Sequence, residues 1–209
     1  MFSLQALFGK GAQFFDLLER SAAAAFASVE ALTKLLADHS REPAMNEFMA
    51  ARSREKELAA QISQELVDSF VTALEREDIE AISQGLYKIP KTMEKFAERW
   101  IIVRERLSGI DFRPRTHLLE QAATIVVELV KGLRKKISLD QAKQLVDRLR
   151  AIESEADRLL MDVYRELARE KGDPIRALLM KDMYDLLEKA IDKCRDVGNI
   201  VYHIVLKSN

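Results

Sequence analysis

Apolar residues recur along this chain at alternating steps of four and three, the spacing that gathers side chains on one face of a bundled α-helix. The first such seam is Leu18, Ala22, Ala25, Val29, Leu32 and Leu36, which predicts a helix from about Gln13 to His39. Pro43 suits a first helical turn and opens a second helix reaching about Leu74. A third is expected from near Asp78 to Ser108, closed by Gly109. Pro114 opens a fourth, to about Lys136. The fifth, capped by Ser138 or Asp140, carries Leu145, Leu149, Ile152, Ala156, Leu159, Val163 and Leu167 and ends at Gly172. Asp173-Pro174, a cap followed by proline at the first helical position, starts a sixth that runs to about Lys207. Strand-type alternation occurs nowhere, so the expected fold is all-α, with six long helices.

The pattern also repeats. Loop, long helix, acidic opening and long helix occur twice, with Glu77-Asp78-Ile79 matching Asp173-Pro174-Ile175 at an offset of 96 residues. A single domain over 1–209 built of two three-helix repeats, about 11–109 and 110–209, follows, as two tandem bundles side by side. Pro90 and Gly85 interrupt the third helix and predict a tolerated bend, or else a functional kink.

Composition narrows the class. Only seven glycines and four prolines in 209 residues leave few tight turns, which agrees with long helices. A net charge of −1 offers no electrostatic case for nucleic acid or an anionic membrane. One cysteine, Cys194, excludes an internal disulfide and a thiolate-rich zinc site, and buried packing is the expected role of its thiol. A reducing cytoplasm is the expected compartment. The start, Met1 to Lys10, lacks a basic lead and a long apolar core, so a terminus packed on its own bundle is expected before a docking segment. Arg134-Lys135-Lys136 reads as charge complementing a helix C-terminus. Trp100-Ile101-Ile102-Val103 is wider than one stripe; core packing is expected, with a dimer or transporter contact as the alternative.

The candidate chemistry is acidic. Ile152-Glu153-Ser154-Glu155-Ala156-Asp157 and Leu187-Glu188-Lys189-Ala190-Ile191-Asp192 each place a Glu and an Asp four residues apart, on one side of a helix. Carboxylates so placed repel, and a metal ion, an Arg or Lys, or water would offset that repulsion. Arg158, Lys189, Lys193 and Arg195 interleave with the acids, but their offset predicts that they point away around the helix. His39, His117 and His203 stand apart, and the absence of a Glu-x-x-His pair argues against a di-iron oxidase.

Glu153-Ser154-Glu155-Ala156-Asp157-Arg158, Asp173-Pro174-Ile175 and Tyr184 to Val197 resemble the PhoU-like family of phosphate-transport accessory proteins, closest to the branch associated with Pit-type phosphate permeases. Arg76-Glu77-Asp78-Ile79 and Phe15-Asp16-Leu17-Leu18-Glu19 resemble its first half. The resemblance implies a non-enzymatic, cytoplasmic regulator or adaptor, peripheral at the inner membrane face, that partners a phosphate permease or another membrane-associated transport component and self-associates as a homo-oligomer. It further implies a divalent metal or iron held by Glu153, Asp157, Glu188 and Asp192, with Asp196 as auxiliary ligand. Oxygen donors of this kind favour hard cations. In the first repeat the matching positions are Lys56, Ala60, Tyr87, Lys88 and Lys91, which predicts a salt-bridged remnant without metal. The rival readings are a helical interaction module with no metal site and a metal-dependent phosphoesterase, for which no base that would activate water is visible.

Overall fold

The computed structural model describes residues 4–37, 45–169 and 173–208. Six helices carry the fold: α1 (Leu4–Ala37), α2 (Asn46–Asp68), α3 (Arg76–Val103), α4 (Arg113–Arg134), α5 (Leu139–Arg169) and α6 (Pro174–Lys207). The first three pack on one another and so do the last three, while α1 against α4 and α3 against α6 join the two clusters. Helices α2 and α5 therefore lie on the outer flanks, each touching only its own bundle among the described residues.

The expected seams are the observed core. Leu18, Ala22, Ala25, Val29, Leu32 and Leu36 of α1 are all buried, as are Leu145, Leu149, Ile152, Ala156 and Val163 of α5. Leu159 and Leu167 pack at the margin of the same core. Among the described residues no helix is long and apolar enough to cross a membrane.

Local signals explain most helix ends. Ser138 Oγ accepts from Gln141 N–H at 3.3 Å while Gln141 Oε1 accepts from Ser138 N–H at 3.2 Å, a reciprocal capping box that starts α5. Asp173 Oδ1 accepts from Ile175 N–H at 2.9 Å and Pro174 follows it, starting α6. Other ends differ from expectation. Helix α1 begins earlier, at Leu4, and α2 stops at Asp68 instead of reaching Leu74. There Arg76 donates to the carbonyls of Leu66 and Ser69, closing the turn from its far side. Helix α3 ends at Val103, and turns carry the chain to Gly109, whose φ of +84° suits glycine. Pro43, His39 and Gly172 lie outside the described residues.

The reason for Gly85 is also different. Helix α3 runs unbroken through Pro90, and a methyl group on Gly85 would stand 2.8 Å from Val197 Cγ2 of α6. Gly198 of α6 is tighter still, 2.4 Å from Leu149 Cδ1 for the same added carbon. These two glycines let α3, α5 and α6 approach closely. Trp100 is buried as expected, whereas Ile102 is 81% exposed and Ile101 is exposed as well, which corrects the expectation of core packing for that run. Consecutive positions turn about 100° around a helix, so one bundle face cannot hold all four.

Candidate acidic cation site

Helices α5 and α6 pack side by side, and the seams that bury Ile152, Ala156, Leu187 and Ile191 place the neighbouring acids along their shared edge. Glu153 and Asp157 project from α5, and Glu188, Asp192 and Asp196 from α6. Asp157 is exposed and the other four are half-buried.

A guanidinium group enters this edge. Arg195 Nη1 bonds to Glu153 and lies 3.1 Å from Asp192 Oδ1, and Arg195 Nη2 lies 3.4 Å from Asp196 Oδ1. Lys193 Nζ holds Asp196 Oδ2 at 2.9 Å. Arg195 thus does not point away from the acids, as its sequence offset implied. It stands three residues beyond Asp192, on the same face, and its long stem spans the groove to α5. Burial raises the Asp196 carboxyl, but Lys193 and then Arg195 outweigh it and hold the group below its ordinary range.

The remaining acids are differently placed. Glu188 is pushed up to about 7, first by burial, then by the negative charges of Asp192 and Asp157, a hydrogen bond to Asp192 and the charge of Asp185. Asp185 is itself paired with Lys181 Nζ at 2.5 Å. Near neutral pH Glu188 is therefore partly protonated, because burial and the neighbouring negative charges both disfavour its ionised form. Asp192 Oδ1 is buried and accepts no hydrogen bond, its 3.1 Å approach to Arg195 being attractive in charge but out of line for a bond. Among the described residues no group of three or more His, Cys, Asp or Glu side chains is arranged to hold an ion as it stands. Asp157, Glu188 and Asp192 nonetheless have the donor chemistry for a hard cation, with one orphaned oxygen and one exchangeable proton.

The first bundle has a counterpart of different make. Lys56, Lys88 and Lys91 are exposed, and the inward cation is Arg52 of α2 instead. Its Nε lies 3.3 Å from Glu94 of α3, its guanidinium sits 3.9 Å from the centre of the Tyr87 ring, and it donates to the Tyr87 hydroxyl. One helical turn on, Glu55 is fully buried, accepts from Ser21 Oγ of α1 at 2.5 Å, and is pushed up to about 7 by its burial. The signal was present in the sequence: Glu55 stands in register with the buried Phe48, Leu58 and Ile62, a core position occupied by an acid. In the second bundle Arg115 lies 3.8 Å from the centre of the Tyr184 ring and donates to the Leu159 carbonyl at 2.8 Å. Tyr87 and Tyr184 are 97 residues apart, so each bundle carries one arginine stacked on a matched tyrosine.

The other singled-out residues play structural parts. Cys194 is fully buried and its thiol is raised to about 12 by that burial. His117 hydrogen-bonds Gln121 at 2.8 Å, and His203 packs edge-on to Tyr202.

No family model matches the chain. A Rhizobium meliloti (strain 1021) protein named as a candidate pit accessory protein is 22% identical over 200 residues, 94% of each chain. The Bacillus subtilis (strain 168) UPF0111 protein YkaA is 23% identical over 144 residues, 69% of this chain and 70% of its own. A PhoU-like protein of Shewanella oneidensis MR-1 superposes with a TM-score of 0.67 at 17% identity, covering 93% of this chain and 96% of that one. The fold is PhoU-like. A second Shewanella oneidensis MR-1 structure, described as a candidate PhoU-like phosphate regulatory protein, superposes with a TM-score of 0.64 over the same shares. The chain carries its acids along α5 and α6 in the second bundle, and an arginine–tyrosine stack between α2 and α3 in the first.

Proposed function

We propose that this chain is a non-enzymatic regulator or adaptor of inorganic phosphate transport, acting at the cytoplasmic face of a membrane on a phosphate permease. The likeness to a candidate pit accessory protein over 94% of both chains supports that role, as does the likeness to PhoU-like structures over nearly the whole chain. The acidic edge of α5 and α6 takes a divalent cation or iron. The observation that carries this reading is geometric: Asp157, Glu188 and Asp192 lie along one edge where Asp192 Oδ1 is buried without a hydrogen bond, and the raised Glu188 carboxyl agrees with it.

Asp157, Glu188 and Asp192 would hold the ion first. Glu153 and Asp196 would join only if the Arg195 guanidinium swings aside. A bound cation would supply positive charge at this edge and so reverse its electrostatic sign toward a partner. The protein's own part is to present the carboxylates, to release the Glu188 proton, and to keep Arg195 as an internal competitor for the same oxygens.

Calorimetric titration with Mn²⁺ at neutral pH tests the site. Binding should release about half a proton per ion, seen as a dependence of the heat on the buffer's ionisation enthalpy, and should weaken at least about tenfold in Glu188→Gln and Asp157→Ala. A wild-type protein that takes up no Mn²⁺, Mg²⁺ or Fe²⁺ removes the cation from the reading. Phosphate uptake by cells with and without the intact gene tests the transport role separately, and unchanged uptake would dismiss it.

A further inference from the structure

A cleft of about 600 Å³ opens between the end of α4 and the start of α5, lined by Glu128, Lys131, Lys135, Lys136, Gln141 and Arg148. Gly132, Ile137 and Leu145 form its apolar floor. Four cations face one carboxylate, a net charge of +3 in a chain whose overall charge is −1. None of the four is ion-paired among the described residues. Their neighbour Arg134, by contrast, is fully engaged outside the cleft, with Glu19 at 2.7 Å and with Asp16.

Helix termination accounts for only part of this charge: Lys131 complements the last turn of α4, but no lysine is required to close it. The end of α4 is closed by backbone alone: Ile137 N–H donates to the Gly132 carbonyl at 2.9 Å and Lys136 N–H to the Leu133 carbonyl at 3.2 Å, the paired bonds of a Schellman turn. The lysine side chains are not needed to satisfy those carbonyls. The left-handed position of that turn, which favours glycine, is held by Lys136 with φ of +52°. A lysine there keeps a charge at the rim of the cleft against a steric cost. Arg148 lies well inside α5, remote from either helix end, so no helix dipole calls for it. It also points about 140° around α5 from Glu153, away from the acidic edge. Gln141 has its carbonyl oxygen occupied by Ser138, which leaves its amide hydrogens as further donors.

We propose that this cleft binds a compact, multiply charged oligophosphate, either a free condensed phosphate or the phosphate tail of a nucleotide. The pocket size suits a small ligand. Clustered phosphate oxygens carrying three or more negative charges match both the net charge and the spread of donors over two helices. A nucleic acid would need a basic track longer than one cleft, which an overall charge of −1 does not provide. The inference stands apart from the cation site and from the transport role.

Calorimetry with sodium tripolyphosphate, and in parallel with ATP, tests it on the full chain. One molecule per chain should bind, with affinity falling as salt rises, and Lys131→Ala/Arg148→Ala should weaken binding at least about thirtyfold. Lys56→Ala, an exposed lysine of α2, should bind as wild type, and circular dichroism should show the double variant fully helical. ATP binding more tightly than tripolyphosphate would assign a nucleotide, and equal binding a free condensed phosphate. Sulfate should compete at least about tenfold more weakly. Absence of binding, equal binding by the double variant, or sulfate matching tripolyphosphate would overturn the proposal.

Discussion

Arg195 of α6 and Glu153 of α5 are joined by an ion pair across the interface of the two helices, and the same guanidinium nitrogen lies 3.1 Å from Asp192. One positive charge thus sits among carboxylates from both helices, where the acids would otherwise repel one another. It is a built-in substitute for a cation, and an incomplete one, since Glu188 still retains a proton toward neutral pH.

Removing that arginine separates the two effects. Arg195→Gln should lower stability by about 1–2 kcal/mol, because the pair is largely but not wholly buried. It should also tighten Mn²⁺ binding by about tenfold, since the competitor for the same oxygens is gone. Thermal melts with and without Mn²⁺ check both: the ion should restore the variant's Tm more than it raises that of the wild type. A Tm indifferent to Mn²⁺ in the variant would contradict the arrangement.

Glu55 sets a pH dependence of stability. Its carboxyl titrates near 7 when folded and near 4.5 when unfolded, so between those values the native state binds the extra proton. Stability from this group is fully present below about pH 4.5 and is lost as pH rises through about 7. Glu55→Gln should therefore stabilise the protein at pH 8, by on the order of 3 kcal/mol, and change little at pH 4.5. Urea denaturation at the two pH values measures it. Glu188 contributes in the same direction over the same window, so the wild type should keep some pH dependence when Glu55 is replaced.

Gly85→Ala sets a small helix-forming gain of about 1 kcal/mol against a collision. The added carbon would lie 2.8 Å from Val197 Cγ2, a stiff branched side chain that cannot swing away. Net destabilisation of about 1–3 kcal/mol is expected from chemical denaturation. Pairing the change with Val197→Ala should recover part of the loss, and no recovery would point away from this contact.

Arg52→Lys preserves charge and removes shape. The guanidinium stacks on Tyr87 and reaches Glu94 at 3.3 Å at once, which a point-like ammonium cannot reproduce. A loss of about 1–2 kcal/mol is expected. Arg115→Lys should cost a similar amount in the second bundle through the Tyr184 stack, and melts of the two variants allow direct comparison.

The helices themselves were legible in the linear pattern. Seams such as Leu18 to Leu36 and Leu145 to Val163, the Ser138 and Asp173 starts and the doubled layout are all encoded by neighbours in the chain, because helix period and capping are local. The candidate acids were legible for the same reason: residues four apart share a helix face wherever the helix goes. Partners across helices were not. Arg195 rather than Lys189 entering the acidic edge, Arg52 rather than Lys56 filling the first bundle's counterpart, and Glu55 lying at a core position beside Ser21 all depend on how one helix is set against another. So does the need for Gly85, which is a matter of helix separation and not of helix propensity. Long flexible side chains choose among acids within reach only once packing fixes what is within reach, and that choice belongs to the assembled bundle.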